Sequence, residues 1–297
     1  MMDMTLDSQH QACTAGSLRV EVASLSHRGQ VRSNNEDAVL AEPVNSPEAR
    51  RRGVLCAVAD GMGGHAAGEV ASSLAVQTTR HSFYASVNPE NGEALREAIT
   101  AANEAVWWEA QRSPEKAGMG CTISAAAVCG DEVVVGHVGD SRAYLVRLAD
   151  ITQITTDHSW VAEQVRTGAL TPQQARQHPR RNVITRAIGH RAAVAVDLYR
   201  LRVVEGDVLV LCSDGLTSTV EDGEIGRYAR ELPPQEAVQR LVDVANSRGA
   251  PDNVTVAVVR LAVEAVATAR RRSRLGLLWL LALPLVAVAA YLVLRPF

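Results

Sequence analysis

Three apolar segments joined by two tight turns constrain the fold of this chain more than any other feature. They occupy residues 121–129, 132–138 and 142–147, and the turns between them are Gly130-Asp131 and Gly139-Asp140-Ser141. Such short connections leave no room for a crossover, so successive strands must pair antiparallel. The sequence therefore predicts three consecutive antiparallel strands in this region.

The remaining hydrophobic periodicity separates further strands from helices. Apolar or alternating runs predict strands over residues 18–26, 54–59, 194–204, 207–212 and 254–263, and alanine-rich or helical spacing predicts helices over residues 66–84, 92–112 and 234–247. Residues 45–53 are typical of a hairpin connection, and the polar residues 158–192 are typical of a small helical excursion over a sheet. Strands in hairpin groups, with helices segregated between them, indicate an α+β body of antiparallel sheets rather than a doubly wound parallel sheet.

Acidic residues recur in the turns at the strand ends. The five acidic turns are Glu36-Asp37, Asp60-Gly61, Asp140-Ser141, Asp214-Gly215 and Asp252-Asn253. Each could be a simple turn, because aspartate is a preferred turn residue. The chain has no C-x-x-C or H-x-x-x-H pattern, so a metal at these turns would be a hard cation with carboxylate, carbonyl and water ligands.

The acidic turns and their neighbouring motifs follow an order that resembles bacterial type 2C metal-dependent protein phosphatases, the PPM family. The resemblance covers residues 18–262, and the ordered set is far more specific than any single motif. The matching motifs are Ser26-His27-Arg28-Gly29, Val31-Arg32-Ser33-Asn34-Asn35-Glu36-Asp37, Asp60-Gly61-Met62-Gly63-Gly64, Gly120-Cys121-Thr122, Gly139-Asp140-Ser141-Arg142, Asp157-His158-Ser159, Ser213-Asp214-Gly215 and Asp252-Asn253-Val254-Thr255.

This resemblance implies a four-layer α-β-β-α sandwich of two antiparallel sheets flanked by helices, with a two-metal site at one end. It implies that Asp60 bridges two Mg²⁺ or Mn²⁺ ions and that the carbonyl of Gly61 binds one of them. Asp214 and Asp252 would bind the other ion. Two such ions lower the pKa of a bridging water, so that hydroxide can attack phosphorus without a protein nucleophile.

The resemblance also assigns roles around these two ions. Glu36 and Asp37 would hold metal-bound waters, and Asp140 would recruit a third, weaker ion. Arg32 would bind the substrate phosphate, which suits a planar guanidinium. His65 is a candidate acid for the leaving group; a metal-bound water could serve instead, or His65 could simply pack at a helix start.

The activity implied is hydrolysis of phosphoserine and phosphothreonine in proteins, with a bacterial Ser/Thr kinase as the natural counterpart. Residues 158–192 resemble the family's flap, and His158, His178 and His190 within it are interpreted as structural or surface residues. A catalytically silent phosphoprotein-binding regulator on the same fold is an alternative. A thiol phosphatase using the Cys13-x5-Arg19 spacing is another, although no strand precedes that cysteine.

Charge is distributed unevenly along the chain. Residues 1–269 carry 25 basic and 33 acidic groups, a net charge of −8, although the whole chain carries only −3. A body of that sign repels polyanions, which argues against nonspecific nucleic-acid binding.

The two ends of the chain differ from this body. Residues 1–17 form a polar tail without the features of a signal peptide, and residues 263–274 form an arginine-rich linker. Residues 275–294 contain no charge and are long enough to cross the ~30 Å core of a bilayer. Four arginines precede this segment and one follows it, so the positive-inside rule predicts a single-pass protein with its catalytic domain on the cytoplasmic side of the membrane.

Overall fold

The computed structural model describes residues 18–63, 67–112 and 114–263. Their strands are β1 (Leu18–His27), β2 (Asp37–Ala41), β3 (Val54–Met62), β4 (Gly120–Cys121), β5 (Ile123–Cys129), β6 (Glu132–Val138), β7 (Arg142–Arg147), β8 (Asp150–Gln153), β9 (Asp197–Arg202), β10 (Val208–Cys212) and β11 (Val254–Val263). Their helices are α1 (Pro47–Arg52), α2 (Ala67–Ala85), α3 (Asn91–Arg112), α4 (Trp160–Arg166), α5 (Pro172–Gln177), α6 (Asp214–Thr217), α7 (Asp222–Glu231) and α8 (Pro234–Ser247).

The strands form two antiparallel sheets, as the short turns predict. One sheet has the order β1-β11-β10-β7-β8 and the other β2-β3-β5-β6-β9, with β4 added beside the end of β3. The three strands predicted between residues 121 and 147 lie in both sheets, because β5 and β6 pair in the second sheet whereas β7 pairs with β10 in the first. The prediction that β6 and β7 pair with each other was therefore wrong, because the tight turn containing Asp140 crosses from one sheet to the other.

Alternating side chains divide the core into three apolar layers. In β3, Leu55 packs with α2 and α3, whereas Val58 packs between the two sheets. In β10, Val210 packs with α7 and α8, whereas Leu211 faces the inter-sheet layer. This period-two alternation places each sheet between helices and the opposite sheet, which is the α+β sandwich expected from the sequence.

Residues 45–53 lie in the connection between the antiparallel neighbours β2 and β3, as predicted, but this connection contains the helix α1, which was not predicted. Ser46 caps α1 by accepting a hydrogen bond from the Ala49 amide at 3.0 Å, and Pro47 occupies the first helical turn, where its missing N–H costs nothing. Arg52 at the end of α1 donates to the carbonyl oxygens of Phe83 and Ser86, at 2.9 and 3.2 Å, and to that of Asn88. The last turn of α2 has no basic residue of its own, so Arg52 supplies the positive charge that stabilises that helix end.

Among the other elements that were not predicted, β2 and α7 have an unfavourable local sequence. Strand β2 begins in a charge-dense segment, and α7 contains Gly223 and Gly226, which disfavour helix. Tertiary burial of Ile225 against the first sheet outweighs that propensity. Within the described ranges no helix is both long and apolar enough to cross a membrane. The predicted membrane segment 275–294 lies outside the described residues, as do residues 1–17, the linker beyond residue 263, and His65.

Candidate metal centre

Four of the predicted acids come from strand ends at one edge of the two sheets. Asp37 and Asp60 are directly opposite one another in the β2–β3 register, so their side chains lie on the same face of that sheet. Asp214 follows β10 and Asp252 precedes β11, and these two strands are neighbours in the other sheet. Strand pairing within each sheet thus accounts for two pairs of acids.

Hydrogen bonds across the sandwich join the two pairs. Ser213 donates its hydroxyl to Asp37 Oδ2 at 2.8 Å and accepts from the Thr255 amide at 3.0 Å. The side chain of Asn253 accepts from the Glu36 amide at 2.8 Å and donates to two carbonyl oxygens of the loop that precedes β2. The acids of both sheets are therefore held at one common edge.

Backbone segments pack so closely at this edge that two positions require glycine. A Cβ atom on Gly61 would lie 2.2 Å from the Gly68 carbonyl oxygen, and one on Gly215 would lie 1.9 Å from the Asn253 carbonyl oxygen. Both distances are far below van der Waals contact, so only glycine fits at either position. A Cβ on Gly68 would lie 2.4 Å from Glu36 Oε2, which shows that the Glu36 carboxylate packs against the start of α2.

The electrostatics show that five carboxyl groups share one environment. Burial, followed by the charges of Asp37, Asp214, Asp140 and Asp252, raises the pKa of Asp60 well above its usual value. Burial raises the pKa of Asp37 to about 7 and that of Asp140 to about 8, and Asp214 contributes to both increases. Like charges in a desolvated site oppose ionisation, and the nearby charges of Arg142 and Arg32 do not offset this repulsion at Asp214.

Two buried carboxylate oxygens without hydrogen-bond partners among the described residues indicate where a cation would bind. In the described part of the chain, Asp37 Oδ1 and Asp214 Oδ1 are buried without a hydrogen-bond partner. A buried carboxylate oxygen is costly to leave unpaired, and hard divalent cations bind oxygen ligands of this kind. The donor set therefore fits Mg²⁺ or Mn²⁺.

The described acidic side chains nevertheless do not form a closed set of metal ligands. Across the three described ranges, no three histidine, cysteine or acidic side chains form a preorganised set of metal ligands. An ion here would take part of its coordination from water, as Mg²⁺ commonly does. The individual ligand assignments of Glu36, Asp37, Asp60, Gly61, Asp140, Asp214 and Asp252 remain predictions.

Arg32 lies at the rim of this centre, where the sequence placed the phosphate-binding group. Its Nη2 atom donates to Asp252 Oδ2 at 2.7 Å, and its side chain is 52% exposed. The hydrogen bond to Asp252, together with the charges of Glu36 and Asp60, raises the pKa of Arg32. The guanidinium is thus close to the acids but still accessible to a ligand.

The turn that carries Asp140 is supported by a contact that the sequence analysis missed. His158 Nδ1 accepts from the Gly139 amide at 3.0 Å, and His158 Nε2 lies 3.0 Å from Asp197 Oδ2. The bond to Asp197 makes Nε2 the protonated nitrogen, which leaves Nδ1 free to accept. His158 is therefore a positioning residue for this turn; its place directly after Asp157 in a recognised motif was the only sequence signal.

Comparison with known proteins agrees with this site. The family described as Protein phosphatase 2C matches residues 26–255. The Ser/Thr protein phosphatase PstP of Mycobacterium tuberculosis is 40% identical over 242 residues, which cover 81% of this chain but only 45% of PstP. The Ser/Thr phosphatase stp of Listeria monocytogenes is 37% identical over 239 residues, which cover 78% of this chain and 92% of stp.

A solved structure extends the likeness to three dimensions. The catalytic domain of PstP in complex with two manganese ions is 37% identical, with a TM-score of 0.73 over 82% of this chain and 99% of that domain. The family match and the structural likeness each cover more than three quarters of the chain. The chain therefore belongs to the protein phosphatase 2C family.

Proposed function

We propose that this chain hydrolyses phosphoserine and phosphothreonine in proteins in a Mg²⁺- or Mn²⁺-dependent reaction. The observation that carries the proposal is the convergence of five carboxyl groups on one site, whose mutual repulsion the nearby Arg32 and Arg142 do not offset. The bound ions supply a hydroxide nucleophile near neutral pH and neutralise charge on the phosphoryl group. Family membership and the manganese-bound PstP domain support the same chemistry.

Each residue of the site would have its own role, which depends on its position. Asp60, Asp214 and Asp252 would hold the two core ions together with the Gly61 carbonyl, and Asp37 would orient water through its unpartnered Oδ1. The side chain of Glu36, which packs against the start of α2, would also orient water. Asp140, on the turn that joins the two sheets, would contribute to a third and weaker site.

Arg32 would bind the phosphate of the substrate. Its ion pair with Asp252 is half-exposed, so a phosphate could compete for the guanidinium without a buried contact being broken. The proton for the leaving group would come from His65 or from water; His65 remains a candidate on sequence alone.

A cysteine nucleophile receives no support from the buried thiols. Burial raises the pKa of Cys56 and of Cys212 to about 12 and raises the pKa of Cys121 as well. A thiol with such a pKa is protonated at neutral pH and is not nucleophilic.

Turnover of a phosphothreonine peptide by the full chain tests the proposal. We expect activity with Mn²⁺, none with EDTA, loss of activity in Asp214→Asn, and a raised KM in Arg32→Ala. Asp150→Asn, at an exposed position on β8, is the matched control and should behave as the native chain. Turnover that is insensitive to EDTA would contradict the mechanism, and a lack of both turnover and Mn²⁺ binding in titration calorimetry would favour the silent regulator.

We also propose that residues 275–294 anchor the protein in the cytoplasmic membrane and that its substrates include a Ser/Thr kinase. The uncharged twenty-residue segment and the four arginines before it support the anchor. Removing residues 275–294 should release the protein from the membrane fraction. A phosphoproteome compared between native and Asp60→Asn cells should show increased kinase phosphorylation; unchanged kinase phosphorylation would contradict that partner.

A further inference from the structure

Residues 158–192, here called the flap, carry a positive charge within an otherwise acidic body. The flap has a single acidic residue, Glu163, and six arginines: Arg166, Arg176, Arg180, Arg181, Arg186 and Arg191. Its net charge is therefore +5, whereas residues 1–269 as a whole carry −8. Positive charge concentrated in one segment of an acidic domain attracts anionic ligands to that segment.

Half of these arginines are already neutralised by ion pairs. Arg166 pairs with Glu163 at 3.5 Å, Arg176 pairs with Glu221 at 3.0 Å, and Arg186 pairs with Asp197. Within the described residues, the other three arginines, Arg180, Arg181 and Arg191, form no ion pair, and all three are exposed.

One of the unpaired arginines, Arg180, packs on an aromatic ring, and Arg181 follows it in the chain. The guanidinium of Arg180 lies 5.3 Å from the centre of the Trp160 ring, and the His178 ring lies 4.8 Å from the same indole. The Arg180 amide donates to His178 Nδ1 at 3.1 Å, and the Arg181 amide donates to the His178 carbonyl oxygen at 3.0 Å. Trp160, His178 and Arg180 thus form a preorganised cationic surface, and Arg181 adds a second positive charge next to it; these four residues are here called the flap platform.

The base of the flap is attached to the rim of the acidic centre at both ends. The His158 amide donates to the carbonyl oxygen of Gly139, the residue before Asp140, at 2.7 Å. At the other end, Ile188 exchanges two backbone hydrogen bonds of 2.8 and 3.1 Å with Cys121 in β4, the strand that pairs with the end of β3. Trp160 lies only two residues beyond the first attachment, so the flap platform begins next to a segment that is bonded to the rim of the centre.

We propose that the flap platform binds acidic side chains adjacent to the phosphorylated residue of a protein substrate. This inference rests on the proposed phosphatase function and adds a substrate class to it. A guanidinium stacked on indole loses little conformational freedom when it binds a carboxylate, and it can do so with two parallel hydrogen bonds. Attachment to the centre favours a peptide over a nucleic acid or a lipid surface, because the phosphate and the acidic group must belong to one chain.

Matched phosphothreonine peptides test the proposal. One peptide carries aspartate and glutamate on both sides of phosphothreonine, and the other carries asparagine and glutamine at the same positions. The native full chain with Mn²⁺ should show about tenfold higher kcat/KM for the acidic peptide at low salt, mainly through KM, and salt should reduce this ratio.

Two variants locate the effect. In Arg180→Gln/Arg181→Gln the ratio should fall to about one. Arg166→Gln, which alters an exposed flap arginine that is already paired with Glu163, should keep the native ratio. A thermal melt shows that each variant is folded.

A binding measurement separates this inference from the proposed function. Fluorescence anisotropy of both labelled peptides with EDTA present reports the affinity ratio without turnover. A chain that prefers the acidic peptide but never hydrolyses it would refute the phosphatase and retain the flap platform. Hydrolysis of both peptides with equal kcat/KM and equal affinity would refute the flap platform alone. Unchanged peptide ratios in the double variant, with weaker sedimentation on phosphatidylglycerol vesicles, would likewise overturn the proposal in favour of a lipid-facing surface.

Discussion

Replacing Asp37 by asparagine should stabilise the protein when no metal is present. The carboxyl group of Asp37 is buried, and its Oδ2 accepts from Ser213 while its Oδ1 has no partner in the described chain. Burial raises its pKa from 3.8 to about 7, hydrogen bonds from Thr255 and Ser213 oppose this rise, and the charges of Asp214 and Asp252 add to it. The ionised group is therefore a source of instability until a cation binds.

The sign and size of the effect follow from proton linkage. Because the pKa is higher in the folded state than in the unfolded chain, the fold binds a proton more readily between about pH 4 and pH 7. The metal-free protein loses stability as the pH rises through this interval, and the full cost, present above pH 7, is at most about 4 kcal/mol. Below pH 4 both states are protonated and the cost disappears.

Asparagine removes this cost because it is neutral at every pH and can still accept from Ser213. For a domain of this size, about 4 kcal/mol corresponds to a rise in Tm of roughly 10 °C. Thermal unfolding of native and Asp37→Asn protein in EDTA should show that rise at pH 8 and only about a quarter of it at pH 4.5. With Mn²⁺ added, the native protein should gain more stability than the variant, because Asp37 then faces a cation.

Asp150→Asn is the matched control, since it removes an exposed aspartate far along the chain from the centre. It should leave Tm nearly unchanged at both pH values. Equal destabilisation of Asp37→Asn at pH 8 and pH 4.5 in EDTA would refute the electrostatic reasoning and would leave lost packing as the cause.

Three further substitutions test contacts that hold the site or the surrounding fold in place. Gly61→Ala should abolish Mn²⁺ binding measured by calorimetry, because the new methyl group would lie 2.2 Å from the Gly68 carbonyl oxygen; normal binding would contradict the required close approach. Asn253→Ala should lower kcat/KM by about tenfold or more by releasing the loop before β2, with secondary structure preserved in circular dichroism. Arg52→Ala should lower the free energy of unfolding in urea by about 2 kcal/mol with little effect on activity, because only the carbonyl groups at the end of α2 lose their partner.

Local sequence patterns were sufficient for the parts of the fold that depend on neighbouring residues. Two-residue connections demand antiparallel strands wherever they occur, so the pairing of β5 with β6 was predictable. The patterns were insufficient for α1, α7 and β2. In α7, two glycines and many charges disfavour a helix, and only the burial of Ile225 beneath it compensates.

The acidic residues of the site could be predicted from the sequence, but their convergence in space could not. Aspartates at strand ends and the lack of cysteine or histidine ligand patterns were enough to predict oxygen ligands and a hard cation. The same residues would have formed ordinary turns had the strands been ordered differently.

Three long-range contacts show what tertiary structure added. Arg32 reaches Asp252 across 220 positions in the chain, and Ser213 reaches Asp37 across 176. His158 is bonded to Asp197, although the sequence suggested no partner for it.

The sequence by itself thus determined the strand pairing within hairpins, the chemistry of the acids and the family. Only the packing of one sheet on the other decided that Asp37, Asp60, Asp140 and Asp214 share one desolvated site with Asp252 at its rim. The physical reason is that periodicity and turn preference act over a few residues, whereas burial and mutual repulsion of carboxylates arise only when distant strand ends are brought to the same edge.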